Sequence, residues 1–292
     1  MSISTFSVLA RLRTWILVAG LTALLVAIGA TLGGAFLYVF AAIAVLMNAA
    51  GYWFSDRIAL RASRARPLPR AEAPQLHQLV EELAARAGLP TPRLYLVETE
   101  QPNAFATGRN PRHAAIAVTR GLLTELSRAQ VGGVIAHELA HVRNRDTLVC
   151  SIAAMIAGGI AAIANVFQFS LLFGGDDEES PLGLIGALVA IIVAPLAAML
   201  LQLGITRQRE YFADATAAGL LGEGRPLADA LERLERGARE APLAVNPATA
   251  SLYITNPLGR DGLARLFSTH PPMADRVRRL RGYDSALAAQ LA

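Results

Sequence analysis

Apolar and polar positions are organised on two scales along this chain. On the longer scale, four stretches carry no charge: Trp15 to Leu32, Ala35 to Phe54, Leu148 to Phe173 and Leu182 to Gly204. Each is near the ~20 residues that a helix needs to cross a hydrocarbon core. Gly33-Gly34 reads as a tight turn joining the first two, and an acidic turn (Asp176, Asp177, Glu178, Glu179) joins the last two. The length of the first run, with a second so close behind it, argues against a cleaved signal peptide despite Arg11 and Arg13 ahead of it. Asn165, Gln168 and Pro195 interrupt the second pair, so buried core helices stand there as the alternative to membrane spans.

On the shorter scale, the polar segments show helical and strand periods. Gln75 to Ala87 places Leu76, Leu79, Val80 and Leu83 on one helical face. Arg93 to Val97, Ala104 to Thr107 and Ala114 to Thr119 read as short strands separated by Pro, Gly and Asn. Pro67, Pro69 and Pro74 predict an extended linker before them. Gly121 to Leu126 reads as a short helix. Ser127 is a candidate N-cap for a helix through Val131, Val134, Ile135 and Leu139 to about Arg145. Further on, Arg207 to Leu221 and Leu227 to Arg239 read as helices, Asn246 to His270 is rich in turn signals, and Ala274 to Arg281 is a short basic helix. The fold expected is mainly α with a small β-sheet (α+β), in a multi-pass membrane protein. Residues 1–56 form an N-terminal hairpin, 57–147 and 206–292 two parts of one cytoplasmic domain, and 148–205 a second hairpin that splits it.

Composition supports this. Charged residues make up 17% of the chain against about 25% in average soluble proteins, and the mean hydropathy is +0.40. A disordered chain is thereby excluded. The single cysteine, Cys150, excludes an intrachain disulfide framework and a Cys-based zinc cluster. All the basic residues are Arg, and they flank the apolar runs on one side: Arg11 and Arg13, Arg57 to Arg70, Arg143 and Arg145, Arg207 and Arg209. The two turns hold none, so both termini and both polar segments are expected in the cytoplasm. The pI of about 9.7 raises nucleic-acid binding. The only dense basic run, Arg276 to Arg281, reads instead as a solvated helix or a lipid headgroup contact.

The candidate chemistry lies in His137-Glu138-Leu139-Ala140-His141. Residues four apart share a helix face, so both imidazoles can reach one metal ion, while Glu138 lies one step round, near a metal-bound water. Catalytic zinc takes three protein ligands and leaves a position open for water. Glu210 is the expected third ligand. Asp214, on the same helix face, would accept a hydrogen bond from a ligand histidine, or belong to a solvated face paired with Arg207 or Arg209. Asp146 is expected to cap or stabilise the turn after the helix.

The stretch 137–146 (HELAHVRNRD) resembles the HtpX family of membrane-bound zinc endopeptidases, relatives of the CAAX prenyl proteases. Arg207 to Asp214, Pro102 to Gly108 and Ser268 to Arg276 are similar to three further blocks of that family. The resemblance implies a gluzincin-type fold and one Zn2+ held by His137, His141 and Glu210. It also implies residence in the bacterial inner membrane and quality control of misfolded or damaged membrane proteins. It places Asn103 on a substrate-contacting strand and His270 near the transition state, although Asn103 is also a good turn residue and His270 could be a plain loop histidine. The expected partners are membrane-protein or unfolded polypeptide substrates and the lipid bilayer. Two other readings share these residues: a processing protease for prenylated C-termini, and a non-catalytic scaffold whose zinc has Asp214 or His270 as fourth ligand.

Overall fold

The computed structural model describes residues 34–148, 207–240, 252–255 and 271–291, with isolated helical positions between 19 and 30. Nearly all of the second hairpin, with its acidic turn, and His270 lie outside the described residues.

Helix α1 (Phe36–Ala62) follows a turn in which Gly34 takes φ +55°, a left-handed conformation that glycine adopts freely. Its first half exposes Tyr38, Val39, Val45 and Leu46, while its end buries Ala59 and Leu60 against a sheet. Among the described residues no helix is long and apolar enough to cross a membrane. The described part is mainly helical with one small mixed sheet.

The sheet holds β1 (Arg66–Pro67), β2 (Arg93–Val97), β3 (Ala104–Thr107) and β4 (Ala115–Thr119), in the order β1-β2-β4-β3. β2 and β4 run parallel, and β1 and β3 pair antiparallel at the two edges. Pro67, expected in a linker, forms part of an edge strand, where a missing N–H breaks no central ladder. Strand side chains alternate between two cores. Leu94, Leu96, Ala104, Ala106, Ile116 and Val118 meet one cluster, which includes Val80 and Leu83 of α2 (Pro74–Arg86). Phe105, Ala115 and Ala117 meet Ala59 and Leu60 on the other.

After β4 and the short α3 (Arg120–Glu125), helix α4 (Arg128–Asn144) runs through the first core. Ser127 caps it in a capping box with Gln130, whose side chain accepts from the Ser127 N–H at 2.8 Å. The one apolar face expected of α4 understates its burial, since His137, Glu138 and most of its other positions are also enclosed. Helices α5 (Arg207–Leu221), α6 (Arg225–Glu240) and α7 (Met273–Leu291) complete the surround. A Cβ on Gly133 would lie 2.7 Å from the Leu227 nitrogen, so only glycine lets α4 and α6 approach this closely. α7 is longer than the short basic helix expected there.

Candidate metal centre

Three helices deliver the polar groups of the interior. α4 supplies His137, Glu138 and His141, α5 supplies Glu210 and Asp214, and α7 supplies Arg276. Every Asp, Glu or Arg buried among the described residues belongs to this assembly: Glu138, Asp146, Arg209, Glu210, Asp214 and Arg276. Burial of so many charges in one place requires mutual compensation.

The ligand geometry is close. His137 Nε2 and His141 Nε2 are 3.1 Å apart. Glu210 places Oε2 at 3.7 Å from the first and Oε1 at 3.4 Å from the second. Neighbouring ligands of a tetrahedral ion with ~2.0–2.1 Å bonds are separated by roughly 3.3 Å. The spacing of the three groups therefore straddles what one small divalent cation demands.

The far side of each imidazole fixes its tautomer. His137 Nδ1 lies 3.0 Å from Asp214 Oδ1, and His141 Nδ1 lies 3.2 Å from Asp146 Oδ2. Each Nδ1–H donates to its carboxylate, so the Nε2 atoms turn toward each other and toward Glu210. Asp146 reaches His141 because α4 ends in a left-handed residue. Arg145 has φ +62°, and its N–H bonds back to the last turn. This corrects the expectation that Asp146 only stabilises the turn. It is buried, supports a histidine, and lies 3.1 Å from Arg209 Nη1.

Arg276 is the second correction. Expected on a solvated or lipid-facing helix, it is fully buried. Its Nε and Nη2 donate to Asp214 Oδ2 and Oδ1 at 2.9 and 2.7 Å, and its Nη1 lies 3.3 Å from Glu210 Oε2. The signal was present in helical phase. Met273, Arg276, Val277 and Leu280 fall on one face of α7, which is the face packed inward, while Arg278 and Arg279 are exposed.

These surroundings set the protonation states. Burial lowers His137 to about 4 despite the pull of Asp214. Burial also works against a charged His141, but Asp146 and Glu210 outweigh it and hold that pKa well above its ordinary value. Burial pushes Glu138 up to about 7, and its carboxylate accepts from the Ala106 N–H of β3. Burial opposes ionisation of Asp214 as well, yet the guanidinium of Arg276 brings it down to about 2.

The buried inventory tests the fit to a metal. Four carboxyl groups face two guanidiniums, and the two imidazoles would serve a metal as neutral donors. A divalent cation would bring the formal charge to zero. Three ligands would leave a position open for water, with Glu138 as the proton acceptor beside it.

Asn103 immediately precedes β3, and its carboxamide is engaged by backbone. Oδ1 accepts from the Ala104 N–H at 3.0 Å, and Nδ2 donates to the Thr255 carbonyl at 2.9 Å. His270 lies outside the described residues.

Comparison with known proteins agrees with this geometry. Residues 70–284 match the profile of peptidase family M48. The chain is 50% identical over 277 residues to the protease HtpX homolog of Syntrophobacter fumaroxidans, covering 93% of this chain and 98% of that protein. It is 52% identical over 264 residues to the homolog of Aquifex aeolicus, with 88% and 87% covered. To that of Pyrococcus furiosus it is 51% identical over 272 residues, with 92% and 94% covered. Among solved structures, the crystal structure of S. mikatae Ste24p superposes with a TM-score of 0.51 at 20% identity, covering 95% of this chain and 67% of that one. That likeness shows a shared fold.

Proposed function

The chain belongs to peptidase family M48 as an HtpX-type metalloprotease, and from that premise we propose a zinc-dependent endopeptidase that cuts misfolded or damaged membrane proteins at the cytoplasmic face of a bacterial inner membrane. The observation that carries the reading is the convergence of His137, His141 and Glu210, with a carboxylate behind each imidazole.

In this reading His137, His141 and Glu210 hold one Zn2+, and Asp214 and Asp146 orient the two rings. When bound there, the ion would supply Lewis acidity to a water and to the scissile carbonyl. Glu138 accepts the proton of that water as its oxygen attacks the carbonyl carbon. Glu138 then delivers the proton to the amide nitrogen as the C–N bond breaks. A carboxyl group lifted toward neutrality is suited to both transfers. The peptide lies extended beside β3, where an edge strand offers backbone groups for strand addition. His270 supports the transition state in the same reading, and Asn103 acts by fixing the start of β3.

The uncharged runs support a membrane location, as does the exposed apolar surface of α1. α1 is tied directly to the protease part, since Arg93 Nη2 donates to Asp56 Oδ2 at 2.6 Å and Arg109 Nη1 donates to the Trp53 carbonyl at 3.3 Å. The proposed organisation is a membrane hairpin over 1–56, a second over 148–205, and a split cytoplasmic protease between and after them.

Metal analysis beside a proteolysis assay tests the proposal. Purified wild-type protein should carry one zinc per chain and lose casein cleavage to a chelator, and Glu210→Ala should lose zinc. Full zinc content in Glu210→Ala would reassign the third ligand.

A further inference from the structure

The segment Leu252–Thr255 lies on the sheet edge beside the metal centre, and nothing in the proposed chemistry uses it. In the register of β3 with β4, the Asn103 carbonyl accepts from the Thr119 N–H at 3.0 Å. Antiparallel alternation then turns the backbone of Phe105 and Thr107 toward β4 and that of Ala104 and Ala106 outward. Those outward groups are what an added strand would pair with.

One of them is already taken. The Ala104 carbonyl accepts from the Ile254 N–H at 3.0 Å. Asn103 grips the next residue through both halves of its peptide unit, donating to the Thr255 carbonyl at 2.9 Å and accepting from the Thr255 N–H at 3.4 Å. Arg276 Nη1 donates to the Ile254 carbonyl at 3.4 Å, which joins the segment to the charge cluster. Leu252 and Tyr253 meet one core and Ile254 the other. Tyr253 packs edge-on against Phe105 at 4.9 Å between ring centres. All four residues are buried. The next outward group, the Ala106 N–H, instead meets the carboxylate of Glu138.

We propose that Leu252–Thr255 is a fixed barrier closing one end of the peptide groove, with Ile254 as the residue that sets how far a substrate can extend along β3. An extended polypeptide then pairs with the sheet from Ala106 toward Gly108 and leaves the edge before Ala104. A lid that opened on every turnover would have to pull Tyr253 and Ile254 out of two cores, so the segment stays in place while the peptide binds. Ile254 is a specificity-determining residue in this account, and Asn103 and Arg276 position it.

The inference rests on cleavage at the His137–His141–Glu210 centre, and the test separates the two. Hydrogen exchange is followed in the full-length, zinc-loaded Glu138→Gln protein, with and without a saturating casein-derived peptide that the wild-type enzyme cleaves. The peptide should slow exchange of the Gly108 amide, the next outward N–H along β3, at least fivefold and leave the Ile254 and Thr255 amides unchanged. Faster exchange at Ile254 on binding would overturn the fixed barrier and make the segment a displaced lid, while leaving the metal-centre reading intact. Protection confined to a surface away from β3 would overturn the barrier, and an unchanged rate of cleavage in the Glu138→Gln protein would overturn the metal-centre reading alone. As a second measurement, Ile254→Ala should move or add cleavage sites in that peptide, mapped by mass spectrometry. An unchanged map from a folded variant would also overturn the barrier. If the variant does not fold, the exchange result on the intact segment decides alone.

Discussion

Two of the arginine–carboxylate networks among the described residues do opposite work. On the outer edge of the sheet, Glu98 pairs with Arg66 and Arg120, and Arg66 also reaches Glu72 at 2.9 Å. These side chains are roughly half exposed, and water screens them. Inside, Arg276 pairs with Asp214 and Arg209 lies beside Asp146, all nearly inaccessible. The atoms involved are of the same kinds. The difference is that the inner groups have no water to fall back on, so each must be matched by another charge or by a metal. Burial therefore turns an ordinary ion-pair motif into a frame that aims two imidazoles.

The comparison can be broken at several points. The largest effect is expected from Glu138→Gln, which keeps the shape of the site and removes the proton acceptor. Peptide cleavage should fall by ~10²–10⁴-fold, the usual contribution of a general base, while zinc content measured on the same sample stays at one per chain. Retained cleavage would remove Glu138 from the mechanism. Next, Arg276→Met leaves Asp214 buried without its partner. Breaking one side of a buried pair costs about 3–5 kcal/mol, and urea unfolding of the chelated protein should show a loss of that order. A loss no larger than for a surface arginine would mean that the inner network carries little. Asp146→Asn should act more gently, through the orientation of His141. Loss of such a supporting carboxylate lowers metal affinity by about 10–100-fold, which a competition titration with a zinc chelator resolves. The smallest effect belongs to the outer network. Glu98→Gln should leave both melting temperature and zinc affinity unchanged, and a clear shift in either would erase the contrast.

Sequence and structure agree where the information is local. The period of Gln75 to Ala87, the cap at Ser127 and the strands at Arg93 to Val97 and Ala104 to Thr107 depend on neighbouring residues, and they fold as their patterns say. The pair His137 and His141 is legible for the same reason, because one helix sets both side chains. Glu210 and Asp214 are legible as a helix face, but their meeting with α4 depends on packing. The role of Asp146 is not legible locally, because it needs Arg145 to turn left-handed, a conformation that a non-glycine residue seldom announces. Arg276 is hidden in its run of arginines, which looks uniform until helical phase separates the one that points inward. The segment Leu252–Thr255 gave only turn signals, and its place on β3 is a long-range pairing that no local pattern encodes. The two-residue β1 was hidden by Pro67.

Arg276 and His137 are 139 positions apart, yet their side chains touch. A chain emerging from the ribosome thus displays its histidine pair long before α5 brings the third ligand or α7 brings the compensating arginine. Until those helices dock, the imidazoles stand on an incomplete scaffold, without the carboxylate that turns His137 toward the metal. The order of synthesis therefore leaves the site to be assembled last, when the final helix packs against α5 and α6.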